Sequence, residues 1–179
     1  MTNPTIHSTQ SMAPRCGVLA PAFALPDAAR PAEAEPVRLR AWRQRRPVLL
    51  ALLPAGAGEQ RAAWLRAIAA RRADLDYAQA VTLAIIGGDH EQARALWRQA
   101  DVAFPLLADA SGATLAAYLG AGATLPALAL VNRYSVLLAR LPAADATAAP
   151  DLDAALAEFA YAEQEDCACT IPAWPAEEE

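Results

Sequence analysis

Two thiols one residue apart are the most reactive pair in this chain. Cys167 and Cys169 lie in the run Glu165-Asp166-Cys167-Ala168-Cys169-Thr170-Ile171-Pro172. Such a pair can cycle between dithiol and disulfide. The ring closed by a Cys-x-Cys disulfide is tight, so the bond is strained and readily reduced. The neighbouring acids Glu163, Glu165 and Asp166 raise the thiol pKa values and slow thiolate attack. The same two residues can instead act as metal ligands. A structural zinc site takes four donors, which Cys16 could help complete, or which two tails in a homodimer would supply as a Cys₄ set. In a third reading the thiols are inert, and Ile171 and Trp174 anchor the tail on a neighbour. All three readings stand on the sequence.

The remaining groups narrow the chemistry by exclusion. Cys16 is the third cysteine. An odd count argues for free, redox-active or metal-binding thiols rather than a disulfide framework. His7 and His90 are too few for a multi-histidine metal site. All fifteen basic side chains are arginine, which removes Schiff-base catalysis and a phosphate-loop lysine. A net charge of −5 gives no basic footprint for nucleic acid. No apolar run is long enough to span a bilayer, and the polar N-terminus lacks the apolar core of a secretory signal, so a cytoplasmic protein is expected.

These groups must be held by an α/β frame. Residues 47–53 form an unbroken apolar run, the pattern of a strand covered on both faces. Pro54, Gly56 and Gly58 break it, and a helical pattern follows with Trp64, Leu65 and Ile68 on one stripe. In many α/β proteins the loop after such a strand holds the chemistry. Here residues 54–61 contain no Cys, Ser, Thr, His, Asp or Lys. Residues 80–86 read as a second buried strand. Asp89 is placed to cap a helix over 91–100. Residues 104–108 form a short strand, and Asp109 or Ser111 caps a helix that Gly120 stops. Residues 127–132 are a third buried strand, and 134–141 its hairpin partner. A last helix spans 151–163. In the lead-in, Phe23 and Leu25 mark a short edge strand and residues 37–40 another. The βαβ portion implies parallel pairing and the hairpin adds antiparallel strands, giving a mixed sheet with helices on both faces. The organisation expected is a disordered N-terminus over 1–16, one domain over 17–163 and an acidic tail over 164–179.

This order resembles the thioredoxin fold, and four segments are similar to its peroxiredoxin branch, the alkyl hydroperoxide reductase and thiol-specific antioxidant family. They are Gly17-Val18-Leu19-Ala20-Pro21-Ala22-Phe23-Ala24-Leu25-Pro26-Asp27, the strand ending at Pro54, the Phe104-Pro105-Leu106-Leu107-Ala108-Asp109 segment with its helix ending in Tyr118 and Gly120, and the strand after Pro126. The resemblance implies a peroxidatic motif of Pro, three residues, Thr or Ser, two residues, then Cys. Pro54 fits its first position, but Gly58 stands at the hydroxyl and Arg61 at the cysteine. A Cys-x-x-Cys alignment would fall near Ala57 and Gln60, again without sulfur. The Asp and Gly of the family's following turn are here Asn132 and Ser135. The resemblance also makes Pro126 a candidate cis-proline beside the loop. Arg61 and Arg133 are candidate anion-binding groups near it.

Two functions follow as expectations. One is a degenerate redoxin with thiol–disulfide chemistry at Cys167 and Cys169, serving a protein thiol partner or reductant. The other is a non-catalytic binding or assembly factor using the surface around Pro54, Arg61 and Pro126, with an optional zinc clip between tails. Neither involves nucleic acid or a membrane.

Overall fold

The run read as a buried strand becomes β3 (Val48–Leu53), with all six residues buried. A computed structural model describes residues 16–168, with side chains through residue 162. Around β3 lie β4 (Val81–Gly87), β5 (Leu106–Asp109), β6 (Ala127–Val131) and β7 (Leu137–Pro142), in the order β5-β4-β3-β6-β7. β4 and β5 join in parallel, while β6 and β7 add antiparallel pairs. This is the mixed sheet expected.

Side chains alternate across the pleat, and each set meets its own cover. Leu49, Ala51 and Leu53 pack with Trp64, Leu65 and Ile68 of α1 (Gly58–Ala70). Residues of α3 (His90–Ala100) and α5 (Leu152–Ala168), including Leu96 and Phe159, share that core. Val48, Leu50 and Leu52 face the other way, toward Leu115 and Tyr118 of α4 (Ala113–Leu119) and Phe23 of the lead-in. Two covers explain why the strand sequences are continuously apolar instead of alternating.

Local rules decide most element ends. Asp89 caps α3 as expected, and its capping box is closed by Gln92. The lead-in strand β1 (Ala24–Leu25) pairs with β2 (Val37–Arg38) in a separate ribbon. That ribbon docks at the β5 edge, where Ala28 N–H donates to Leu106 O and Ala108 N–H donates to Pro26 O. His90 Nε2 lies 3.2 Å from Asp27 O and 3.1 Å from Arg30 O. Both partners are acceptors, so this nitrogen carries the proton and tethers the lead-in to α3.

Two elements differ from expectation. α2 (Arg72–Tyr77) was not read as a separate helix: Leu75 is its one buried residue, too little for a helical period. α5 runs through Ala168 instead of ending at Glu163. The sequence there has no Gly or Pro to stop it before Pro172.

The β6–β7 turn shows how this chain replaces the Asp and Gly of the resembled family. The Asn132 side-chain oxygen accepts from Tyr134 N–H and Val136 N–H, both at 2.9 Å. Ser135 occupies the left-handed region at φ +66°. A residue with a Cβ is disfavoured there. Ser135→Gly is therefore expected to raise stability by about 0.5–1 kcal/mol, read from the midpoint of urea unfolding.

Candidate functional site

The carboxyl end of β3 delivers the chain into residues 54–57, and α1 starts at Gly58 with Ala57 as its N-cap. β4 ends alongside at Gly87. A Cβ on Gly87 would meet Ala55 N at 3.1 Å and the Leu115 side chain at 3.2 Å, so a glycine lets the loop close over the sheet. β6 runs antiparallel with Ala127 opposite Leu52, which brings Pro126 beside the same loop.

Pro54, Arg61 and Pro126 thus line one small cavity of about 40 Å³, together with Trp64, Thr124 and Ala146. Three of the predicted site residues are brought together. Its polar side chains are Gln60, Arg61 and Thr124. Thr124 was missed by the sequence reading. Its position two residues before Pro126 was the available signal. The Trp64 indole N–H donates to Ala148 O at 2.9 Å, fixing the loop after β7 over this wall.

Arg61 dominates the electrostatics. Its guanidinium donates to Gly87 O at 3.3 Å, and its Nε is buried with no partner among the described residues. Burial pushes its pKa down from the ordinary value, yet an arginine so placed remains cationic. With the open N–H groups of the α1 N-terminus, this cation can hold an anion or a carbonyl oxygen. The cavity lining supplies no thiol, imidazole or carboxylate.

Across Gly87 a second cavity of about 310 Å³ is lined by Pro54, Gly88, Asp109, Ser111 and Gly120. Asp109 is 1% exposed, but its carboxylate is committed. It accepts from Leu115 N–H at 2.8 Å and from the Ser111 hydroxyl at 3.1 Å, while Ser111 Oγ accepts from Ala113 N–H. Asp109 and Ser111 therefore share the capping of α4 between them, and Gly112 is its formal N-cap. This is a fold-holding role and leaves no free base.

The match between this frame and known proteins is decisive for family. The AhpC/TSA family model matches residues 16–139. The chain belongs to the AhpC/TSA family. Solved structures agree on the fold. Peroxidoxin BcpB from Mycobacterium tuberculosis is similar at 19% identity and TM-score 0.65, covering 82% of this chain and 96% of its own. A reduced 2-Cys peroxiredoxin from Plasmodium vivax is similar at 17% identity and TM-score 0.71, covering 92% and 91%. Thiol peroxidase from Chromobacterium violaceum is similar at 20% identity and TM-score 0.65, covering 86% and 90%. Among curated proteins no sequence matches significantly. This AhpC/TSA chain is thus a peroxiredoxin-like member of the thioredoxin fold, and its loop 54–61 has no cysteine.

Two expectations need correction within that AhpC/TSA frame. Pro126 is not cis: no cis peptide occurs among the described residues. Its carbonyl accepts from Ala143 N–H at 2.8 Å, extending the β6 ladder, so it serves as a strand-leading proline in the ordinary trans form. Arg133 is not near the loop. Val131 pairs with Val48, so Arg133 follows at the opposite end of β3, about 20 Å from Arg61 by strand rise. There it lies over Tyr134, 5.1 Å from the ring centroid, and its carbonyl accepts from Gln44 N–H.

Cys16 and the backbone of Cys167 also lie toward that opposite end. α5 passes Arg45, Pro47 and Arg133 at Phe159 and Ala162, then extends about 9 Å further to Ala168. Cys167 is on this last stretch, and Cys169 lies outside the described residues. Cys16 is exposed, and its neighbour Gly17 donates to Leu137 O at 2.8 Å, at the start of β7. The end of the helix that carries Cys167 and the exposed Cys16 therefore lie toward one end of the sheet, and Arg61 at the other.

Proposed function

We propose that this AhpC/TSA member is a redoxin whose thiol–disulfide exchange runs through Cys167 and Cys169 instead of through the loop after β3. One observation carries the reading: Cys167 lies on the last turn of α5, with Cys169 two residues on in sequence, while the loop presents Arg61. In each turnover a thiolate of the pair attacks a substrate disulfide. The second thiol resolves the mixed disulfide. The substrate leaves as a dithiol, and Cys167 and Cys169 are left as a disulfide. A cytosolic thiol reductant returns the pair to its starting state by the reverse exchange. The acids around the pair and the negative end of the α5 dipole disfavour thiolate, so the exchange is slow and its strained product readily reduced. The test is disulfide reductase and peroxidase turnover of the full chain and of Cys167→Ser/Cys169→Ser. A double variant with undiminished turnover would sink the reading. Native mass measurement separates the zinc alternative: a metal-bound dimer that loses zinc on denaturation has its thiolates taken out of turnover.

A second reading, a non-catalytic binding factor, is favoured by the buried, unpartnered Nε of Arg61. In it, Pro54, Arg61, Thr124 and Pro126 form a shallow receptor for an anionic or carbonyl group of a partner. Arg61→Gln removes the cation at similar size. Capture of interacting proteins by the full chain should fall at least tenfold with this variant. Unchanged capture excludes the loop as the docking surface.

A further inference from the structure

The cavity at the thiol-bearing end of the sheet is lined by Ile68, Leu75, Val81 and Phe104, with Arg46 and Arg72 beside them, and holds about 230 Å³. That is below the roughly 300–1,000 Å³ of small-molecule sites and suits one large side chain better than a cofactor. Neither arginine fills it. Arg46 Nε donates to Gln79 O at 2.7 Å, and Arg72 Nε pairs with Asp76 at 3.4 Å, both at the surface. The result is an apolar floor with a rim of two arginines and one carboxylate, Asp76, which leaves the rim net cationic.

We propose that this cavity receives Trp174 of the same chain, with the terminal Glu177-Glu178-Glu179 lying on the arginine rim. Two observations select this occupant. The first is reach. α5 runs past a neighbouring cavity lined by Arg45, Gln79 and Ala162. The Trp174 cavity is lined by Arg46 and Ala80, the chain neighbours of Arg45 and Gln79, so the two cavities adjoin along the backbone. Trp174 is six residues beyond Ala168. An extended segment of that length spans about 20 Å, about twice the roughly 9 Å by which α5 runs beyond Ala162. Pro172 and Pro175 favour the extended form and lower the ordering cost on docking. The second is charge. Residues 177–179 are three consecutive glutamates, and Arg45, Arg46 and Arg72 line the two adjoining cavities. An indole followed three residues on by glutamates matches an apolar floor whose rim is net cationic. This docking is independent of whether Cys167 and Cys169 cycle.

The experiment is fluorine NMR on the full chain labelled with 5-fluorotryptophan. Trp174→Phe assigns the Trp174 signal among the four tryptophans, and the other three report folding. Wild type should show Trp174 displaced from the position of a free indole and shielded from a soluble paramagnetic quencher. Arg46→Glu/Arg72→Glu should return it to the free position with the other signals unmoved. Glu177→Gln/Glu178→Gln/Glu179→Gln should do so in part, without touching the folded core. A free-position Trp174 in wild type overturns the proposal. So does a displaced signal indifferent to both charge variants. A displaced signal that disappears on dilution identifies a second copy as host and also overturns it.

Discussion

Tyr118→Ala should lower stability by about 3–5 kcal/mol, the loss seen when a fully buried aromatic is cut to a methyl. Tyr118 is wholly buried between β-sheet and lead-in, and its hydroxyl donates to Pro21 O at 2.8 Å. Truncation opens a cavity among Leu50, Leu83 and Phe23 and frees the lead-in that covers this face. Against a typical total of about 5–15 kcal/mol, the variant should populate unfolded chain at physiological temperature. Tyr118→Phe isolates the hydroxyl and should cost about 1 kcal/mol. It should also change the alkaline limb. Burial holds the Tyr118 phenol well above its ordinary range in the folded state. Above a pH of about 10 the unfolded chain ionises this group while the folded chain cannot, so the unfolded state binds fewer protons and stability falls as pH rises. Below that pH the contribution is fully present. Urea midpoints by circular dichroism between pH 8 and 11 should show a shallower alkaline decline for Tyr118→Phe than for wild type.

The second large effect concerns activity. Cys167→Ser/Cys169→Ser should reduce thiol–disulfide turnover to the uncatalysed background, while Arg61→Gln leaves that turnover intact, because Arg61 and the end of α5 that carries Cys167 stand at opposite ends of the sheet. Serine matches cysteine closely in size, so the double variant should unfold at the wild-type midpoint. Each single variant should retain the first exchange but accumulate a mixed disulfide, visible in the intact mass, since the resolving thiol is gone. Turnover should still be climbing above a pH of about 8.5, the ordinary thiol value, because the neighbouring acids disfavour thiolate, with no plateau at neutrality. A rate that is flat from pH 6 to 9 would point to an activated thiolate. That requires a cation near the pair, which the arginines of this end of the fold could supply.

The docking of Trp174 bears on that result. If the tail lies on the rim of Arg46 and Arg72, the segment joining Cys167 to Trp174 is held on the arginine-bearing end of the fold. Comparing the pH profile of the full chain with that of the triple Glu→Gln tail variant would connect the two predictions. A coincident profile would show that docking and thiol reactivity are uncoupled.

Much of this was legible in the chain itself, where the determining interactions are local or repeat along an element. Residues 48–53 read as a strand covered on both faces because every side chain is apolar, and burial on two sides demands that. Asp89 read as a cap because a carboxylate three residues before Gln92 satisfies backbone groups within one turn. The loop's lack of sulfur is a matter of composition, and no folding could alter it. The tertiary structure decided what depends on strand direction and distant packing. Because β6 runs antiparallel to β3, Pro126 comes to the loop and Arg133 goes to the far end, although the two are separated by one short strand. Because α5 runs on past Glu163, Cys167 is carried away from Arg61. The burial of Arg61 Nε, the hydroxyl contact of Tyr118 and the arginine-rimmed cavity each join segments remote in sequence. Such contacts follow from how faces pack and not from the periodicity of either partner, so the arrangement of the chemistry belongs to the fold.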